Sequence, residues 1–361
     1  MPDKIYDVAI IGSGPAGYTA AIRAGEFGLQ VALIEKDKGL GGTCLHVGCI
    51  PTKSLLFNAE IWDYLKEAKE FGIDNLGSPK LNWAAVQDRK NKIVAKHVKG
   101  LDFLMRKHKI EVINGFGRLT GPAKNGVHTV EVDNGGKKTA VQAKNVLLAT
   151  GSEARMLPGL EPGPQVLTNI EILSLPAIPK SLVIVGSGAV GSEFASIYNS
   201  FGCDCTILEM LQRIVPLEDE DVSKELDRNF RKRGIKTFVN ASVKNVDKNK
   251  DGVTVTFEAD GKSQTVTGEK VLIAVGRKPR TEGIGLEKTK IKPDRGFIKV
   301  NEWLQTEEPG VYAMGDIVAG YPQLAHAGFI EGKIAVAHIA GKPAKKMTSV
   351  RVPAATYTHP E

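Results

Sequence analysis

The apolar residues of this chain fall in short continuous runs, not in one long stripe. Residues 5–11 (IYDVAII), 31–34 within QVALIEK, 146–149, 181–185 (SLVIV) and 271–275 each supply a few adjacent apolar positions. Runs of that length, bounded by glycine, predict strands buried on both faces, as in a parallel sheet. Other stretches carry helical spacing. AGYTAAIRAGEFG (16–28) is alanine-rich, and helices are also predicted over about 52–71, 83–108 and 322–341. Residues 216–234 begin acidic and end basic, with Val222, Leu226 and Phe230 four apart, which predicts an amphipathic helix with charges matched to its dipole. Residues 110–150 read as strand-rich and 243–267 as hairpin-like strands. The prolines and glycines of LPGLEPGP (157–164) predict a linker.

One pattern occurs twice. A strand runs into Gly12-Ser13-Gly14-Pro15-Ala16-Gly17, then a helix, then a strand ending on Glu35. A second strand runs into Gly186-Ser187-Gly188-Ala189-Val190-Gly191, then a helix, then a strand ending on Glu209. Both acidic residues stand 23 positions after the first glycine. In such a unit the first glycine permits the tight turn, the second lets a pyrophosphate approach, and the third lets helix and strand pack closely. The phosphates meet the positive end of the helix, and the carboxylate accepts a ribose hydroxyl. A carboxylate at Glu209 suits a free 2′-hydroxyl and repels a 2′-phosphate, although Arg213 is nearby. VLLATGS (146–152) and VLIAVGR (271–277) mirror each other and read as strand ends where the chain crosses between domains. The predicted fold class is α/β, with two Rossmann-like dinucleotide-binding domains in tandem, each a three-layer sandwich around a parallel sheet. Residues 1–150 and 281–350 form the first, 151–280 the second, and 351–361 begin a third.

A chain of 361 residues exceeds one ordinary core, and 42% hydrophobic with 25% charged residues is the balance of a soluble globular protein. No apolar run reaches the length of a membrane span. The start, MPDKIYDVAII, leads straight into a strand, which predicts no signal peptide and a cytoplasmic setting, with a processed mitochondrial matrix protein as the alternative. The net charge is +7, but the basic residues are scattered, as in KHVKGLDFLMRKHK (96–109) and KPAKK (342–346). Neither run interleaves its charges with a series of stacking aromatics, which are only 6% of the chain, so they read as solvated helix faces and not as a nucleic-acid surface.

Of four cysteines, Cys44 and Cys49 lie in GGTCLHVGCIPTK (41–53). Five residues of helix rise about 7.5 Å, more than a disulfide spans, so a regular helix would hold the two apart. Gly48 and Pro51 predict a break that lets the pair close a small, reducible ring. A structural staple would gain little from so short a loop. Two unpaired thiols, or half a metal site, stay open on these residues alone. Cys203 and Cys205 share one strand face and read as packing.

Two dinucleotide sites and one thiol pair call for a carrier between hydride and thiolate chemistry, and a flavin is such a carrier. The first glycine unit, nearest the cysteines in sequence, is therefore expected to take FAD and the second NAD. GSGPAG (12–17), the cysteine stretch, ATG (149–151), GSGAVGSE (186–193), AVGR (274–277), AMGD (313–316) and QLAHA (323–327) together resemble the flavin-dependent pyridine nucleotide-disulfide oxidoreductases, in order and over essentially the whole chain. Within that family Glu209, Leu45-His46 and Ile50-Pro51-Thr52 resemble the members that oxidise dihydrolipoyl groups and reduce NAD+. A glutathione- or mercuric-reductase-like enzyme and a non-catalytic FAD-binding assembly subunit are the alternatives.

The resemblance implies catalytic roles for Cys44, Cys49, Lys53 and Glu193. Cys49 would be the thiol nearer the flavin and Cys44 the one that meets substrate, with Lys53 near the flavin N5 and paired to Glu193. For FAD it implies the first glycine turn with Pro15 and Ala16, the segment Glu35-Lys36, the pair Gly42-Thr43, and Lys53. Gly117 would lie near the adenine, Ala149, Thr150 and Gly151 would contribute, and Asp316 would bind the ribityl chain. A helix beginning at Gln323, Leu324, Ala325 and His326 would point its positive end at the flavin. For NAD it implies the second glycine turn with Ala189 and Val190, then Glu193, Glu209, Val243 and Gly276. No metal, nucleic acid or membrane is implied. The implied partners are the lipoyl domains of 2-oxo-acid dehydrogenase or glycine cleavage complexes and, in a homodimer, a second copy. In the family a His–Glu base for thiol exchange comes from a C-terminal interface domain. YTHPE (357–361) resembles the start of that domain, so the expectation is a truncated chain, or a naturally short relative, impaired in lipoamide turnover.

Overall fold

A computed structural model describes residues 4–347 and 352–361. In chain order the elements are β1 (Ile5–Ile11), α1 (Pro15–Glu26), β2 (Val31–Glu35), α2 (Gly42–Val47), α3 (Cys49–Lys66), α4 (Trp83–Lys107), β3 (Glu111–Asn114), β4 (Phe116–Leu119), β5 (His128–Asn134) and β6 (Lys137–Leu148). There follow β7 (Ser152–Ala154), β8 (Val166–Leu167), α5 (Asn169–Ile172), β9 (Ser181–Val185), α6 (Ala189–Ser200), β10 (Asp204–Leu208), α7 (Glu220–Lys232) and β11 (Lys236–Phe238). The last are β12 (Ser242–Asn249), β13 (Gly252–Ala259), β14 (Lys262–Gly268), β15 (Lys270–Ile273), β16 (Arg277–Pro279), β17 (Val311–Ala313) and α8 (Ala325–Ile339). Among the described residues no helix is long and apolar enough to cross a membrane.

The chain divides into two compact units. Unit 1 comprises Met1–His46, Val94–Glu153 and Lys278–Ala354; unit 2 comprises Val47–Ile93, Ala154–Arg277 and Ala355–Glu361. The expected crossing points near residues 150 and 280 fall beside β7 and β16, which pair with each other. The boundary expected at 350 and 351 lies outside the described residues. Residues 47–93 fall inside the first stretch assigned from the sequence but pack in unit 2. The reason is burial: Leu55 and Ala59 of α3 and Trp83 and Val86 of α4 share one core with Phe194 and Tyr198 of α6.

Unit 1 is built on parallel strands in the order β3-β2-β1-β6-β17, with Ala9 beside Ala32 on one side and Val146 on the other. The chain leaves β1 through α1 to β2 on one side, then returns to β6 on the other, so the topology switches between β1 and β6. The crevice at that point is where such sheets bind ligands. Helices α1 and α8 pack together along this sheet. The first half of β6 extends into an antiparallel arm with β5 and β4. Ala9, Ile11, Ala32, Ile34, Val146 and Leu148 share a core with Leu119, Val130 and Val132 of that arm. The intervening residues Val8, Ile10, Leu33 and Leu147 are buried as well, so both faces of these strands are covered, which is why the sequence showed continuous runs.

Unit 2 repeats the plan. Its parallel order is β11-β10-β9-β15-β8, with the switch between β9 and β15, and β12, β13 and β14 form an antiparallel meander. Leu182 and Ile184 face the helical core with α6, whereas Val183 and Val185 pack with Val253, Val255 and Phe257 of the meander. Helix α7 is amphipathic as expected, but its buried face carries Ser223, Leu226 and Phe230, while Val222 is exposed. The Ser223 hydroxyl donates to the Ile214 carbonyl, which lets a polar residue take the inward place. LPGLEPGP is not a free linker, because Leu157 and Leu160 pack against the meander core.

Candidate active site

The two glycine turns have one geometry. Gly12 has φ +103° and a Cβ there would stand 2.3 Å from the Ala149 carbonyl oxygen; Gly186 has φ +96° and its Cβ would stand 2.5 Å from that of Ala274. Each turn thus lies against the end of the strand across the switch point, β6 or β15. This explains why ATG and AVGR recur at matching places. A Cβ at Gly17 would meet the Gly12 carbonyl oxygen at 1.9 Å, and one at Gly191 the Gly186 oxygen at 2.0 Å. The third glycine therefore packs on its own turn more tightly than on the strand. Gly14 and Gly188 differ, since a Cβ at either meets nothing within 4 Å. Both are helix N-caps without a side-chain cap, and the first turns of α1 and α6 hold no acidic residue. Open space over uncapped N–H groups at the positive end of a helix fits a phosphate.

The two carboxylates are already organised. Glu35 Oε2 accepts from Ser13 N–H at 2.8 Å and the Ser13 hydroxyl at 2.6 Å, and Oε1 accepts from Asp37 N–H at 2.9 Å. Glu209 Oε2 accepts from Ser187 N–H at 2.8 Å and its hydroxyl at 2.7 Å, and Oε1 from Leu211 N–H at 2.9 Å. Ser13 and Ser187 are partners that sequence reasoning passed over. Their signal was the serine shared by both turns.

Other expected residues of unit 1 gather around the same turn. Gly42, with φ +60°, brings its backbone so near that a Cβ would stand 2.7 Å from Gly14 Cα. Thr43 follows it on α2 and Lys36 is exposed beyond β2. Gly117 faces Ile34 and Ile11, where a Cβ would meet side chains at 3.0 and 3.1 Å. The Thr150 hydroxyl donates to the Arg280 carbonyl at 2.6 Å, and Gly151 follows with φ +71°. Asp316 accepts from the Ser152 hydroxyl, and its carbonyl accepts from Gln323 Nε2 at 3.0 Å. Leu324 caps α8 without a side-chain bond, Ala325 begins the helix, and His326 Nε2 lies 2.6 Å from the Pro353 carbonyl oxygen. In unit 2, Ala189 and Val190 open α6, Gly276 has φ +103°, and Val243 packs against the meander core at a shift in register on β12.

Cys44 and Cys49 are disulfide-bonded, and Cys203 and Cys205 are buried free thiols. The break between the cysteines is at Gly48 alone, between α2 and α3. Pro51 does not contribute to it. It sits buried in the first turn of α3, where its missing N–H had no partner to lose. Gly48 instead starts the helix: its carbonyl accepts from the Thr52 hydroxyl at 2.7 Å. One turn after Cys49, Lys53 Nζ donates to both carboxylate oxygens of Glu193 on α6, at 2.6 and 2.7 Å. Tyr357 N–H adds a bond to Glu193 Oε1 at 3.1 Å, and its ring centroid lies 4.8 Å from Lys53 Nζ. Burial raises the Glu193 carboxyl above its usual range, and Lys53 opposes that shift.

Replacing Lys53 with Met is therefore expected to leave a buried carboxylate uncompensated. The side chain of Lys53 is 38% exposed and that of Glu193 5%, so solvent screens part of the attraction. The expected loss is about 1–3 kcal/mol, below that of a fully buried pair. The folded carboxyl lies above its ordinary 4.5, so the loss is smallest below that pH and grows as pH rises through the folded value. Urea midpoints of both proteins at acid and alkaline pH check this. An equal difference at all pH values would contradict it.

A second cluster in unit 2 was not legible in sequence. Arg233 donates to the Ser200 hydroxyl at 2.7 Å, the Ser196 hydroxyl at 3.0 Å, Asp63 Oδ2 at 3.3 Å and the His359 carbonyl. These residues come from four separate segments and no motif connects them.

The pattern for the pyridine nucleotide-disulphide oxidoreductase family matches residues 6–332, and this chain belongs to that family. It is an oxidoreductase, with the FAD and NAD that such enzymes use. It is 44% identical to a dihydrolipoyl dehydrogenase of Bacillus subtilis, over 99% of this chain and 76% of that protein. It is 40% identical to the dihydrolipoyl dehydrogenase of Acholeplasma laidlawii, over 93% of this chain and 96% of that one. Among solved structures, LpdA of Mycobacterium tuberculosis superposes with a TM-score of 0.90 at 31% identity, covering 98% of this chain and 76% of that one. The flavoprotein disulfide reductase RclA of Escherichia coli superposes with a TM-score of 0.85 at 27% identity, covering 99% and 76%.

Proposed function

We propose that this protein oxidises dihydrolipoyl groups and reduces NAD+, with FAD in the cradle of unit 1 and NAD in that of unit 2. The carrying observation is the Cys44–Cys49 disulfide at the start of α3. A dihydrolipoyl thiolate attacks Cys44 sulfur, the Cys44–Cys49 bond breaks, and Cys49 leaves as thiolate. The second lipoyl thiol then displaces Cys44, giving lipoyl disulfide and two reduced cysteines, one of them protonated. Cys49 is a good leaving group because it is the first residue of an uncapped helix of 18 residues, and Lys53 one turn on adds positive charge. Bound flavin supplies the two-electron relay between dithiol and nicotinamide. In unit 1 the turn Gly12–Gly17 holds pyrophosphate, Glu35 a ribose and Asp316 the ribityl chain. In unit 2 the turn Gly186–Gly191 holds the NAD pyrophosphate, and Glu209 selects NADH over NADPH by repelling a 2′-phosphate. Support comes from the relatives this chain is similar to, which include bacterial proteins named dihydrolipoyl dehydrogenase. On that ground we assign a cytoplasmic homodimer serving lipoyl domains.

The test is stoichiometric. One equivalent of dihydrolipoamide, without oxygen, followed by alkylation and peptide mass analysis, places two labels on Cys44 and Cys49. NADH gives the same two labels faster than NADPH. Unlabelled Cys44 and Cys49, or reduction by glutathione and not by dihydrolipoamide, would overturn the reading.

A further inference from the structure

Glu331 has no part in the motifs above, yet it is fully buried at 0% exposure. It lies on α8 between Gly328 and Gly332, where the helix meets α1 almost backbone to backbone. A Cβ at Gly328 would stand 3.2 Å from Ala16 Cβ, and one at Gly332 would stand 2.7 Å from the Ala16 carbonyl oxygen. Glu331 Oε2 accepts from Gly315 N–H, while Oε1 has no partner among the described residues. Gly315, with φ +73°, opens the short turn Gly315–Ile317 that carries Asp316. Asp316 is thus held from the front by Ser152 and Gln323, and its turn is held from behind by Glu331.

We propose that Glu331 is a positioning residue for the dinucleotide cradle of unit 1, fixing through the Gly315 N–H the turn that aims Asp316. This rests on the reading that the cradle takes FAD. The residues present fit that reading, since Gly14 leaves open space over the uncapped end of α1. Without Glu331 the half-buried Gly315 N–H would lose its acceptor, and the turn would relax to find another.

The charge on Glu331 matters because the cradle is built for an anion. Burial pushes its carboxyl up to about 7; the Gly315 N–H lowers it and the neighbouring Asp316 raises it. From the loop before α8, the Tyr321 phenol also senses Glu331 and is itself raised by burial. Helix α1 meets the neighbouring Gly328 and Gly332 through the uncharged residues Ala16 and Ala20. A pyrophosphate at the start of α1 adds negative charge on the same side, and like charge favours the neutral acid. FAD binding above neutral pH therefore takes up a proton on Glu331, and the same linkage makes affinity fall as pH rises.

The experiment strips flavin from the whole chain and measures FAD rebinding by fluorescence quenching between about pH 6 and pH 8.5. Calorimetry in two buffers of different ionisation heat counts the proton. Wild type is expected to weaken by up to about tenfold per pH unit above neutrality and to take up a proton there. Glu331→Gln keeps an acceptor for Gly315 and cannot ionise. It should bind within about threefold of wild type at pH 6, with no slope and no proton uptake. Glu331→Ala loses the acceptor and should bind at least about tenfold more weakly at every pH. A Glu331→Ala affinity equal to wild type, or a Glu331→Gln profile with the wild-type slope and proton uptake, overturns the inference. If Glu331→Ala does not fold, Glu331→Gln carries the test through its slope and proton count. Wild type that rebinds no FAD would instead sink the flavin reading, and this inference with it.

Discussion

Replacing Cys49 with Ser is expected to lower reduction of disulfide substrates by about 10^3-fold or more, a barrier increase of about 4 kcal/mol. NADH oxidation by artificial electron acceptors should stay within about twofold. The two rates separate because they use different parts of the molecule. Disulfide exchange needs a bond that can break between Cys44 and Cys49, and a serine hydroxyl neither forms it nor leaves from it. Oxidation of NADH by a dye would need the two nucleotide cradles, whose residues do not include the cysteines. Cys44 remains as a lone thiol in the variant, so alkylation without any reductant should already label it. Steady-state assays with dihydrolipoamide, NADH and a dye decide the matter. Retention of full disulfide turnover would remove Cys49 from the chemistry, and equal loss of both rates would point to general disruption.

Substituting Gly17 with Ala should yield a protein that is purified without flavin and unfolds at a markedly lower temperature. The added Cβ would stand 1.9 Å from the Gly12 carbonyl oxygen, a backbone atom that cannot rotate away. Helix α1 must shift, and its packing on α8 shifts with it. Overpacking of this kind costs about 1–3 kcal/mol or more, beyond the lost cofactor. Gly14→Ala is the internal control, since its Cβ meets no protein atom within 4 Å. It should fold at the wild-type temperature without cofactor and lose only FAD affinity, because the methyl enters the space a phosphate needs. The twin substitution Gly191→Ala, at 2.0 Å from the Gly186 oxygen, should keep flavin and lose NADH. Flavin content, thermal unfolding and the NADH KM of the three variants test the assignment of one cradle to each nucleotide. Equal behaviour of Gly14→Ala and Gly17→Ala would contradict the distinction between turn geometry and binding space.

Much of the site could be read from residue order because its parts are local. A glycine turn, a helix start and an acidic strand end lie within 24 residues of one another, so their spacing carries the geometry. The cysteine pair is closer still, and the break between the two helices needed only Gly48. Pro51 misled because a proline in a helix's first turn removes no hydrogen bond, and sequence alone does not say where the turn begins. Val222 misled because a period of four drifts off a face of 3.6 residues per turn, and a serine with a nearby carbonyl took its place.

What the sequence determined by itself is the pair of dinucleotide units, a cysteine pair spaced to close a small ring between them, and the α/β class. Each rests on short-range sterics, namely which residues allow a left-handed turn, an uncapped helix end or a small ring. Only the tertiary structure decided that α3 packs against α6 in unit 2, that Lys53, expected from the resemblance to pair with Glu193, bonds both of its carboxylate oxygens, and that Glu331 accepts from the Gly315 N–H beside the Asp316 turn. Those partners are 140 residues apart in the first pairing and 16 in the second. Burial, not spacing, brings them together, and the cost of an unpaired buried polar group fixes which atoms meet.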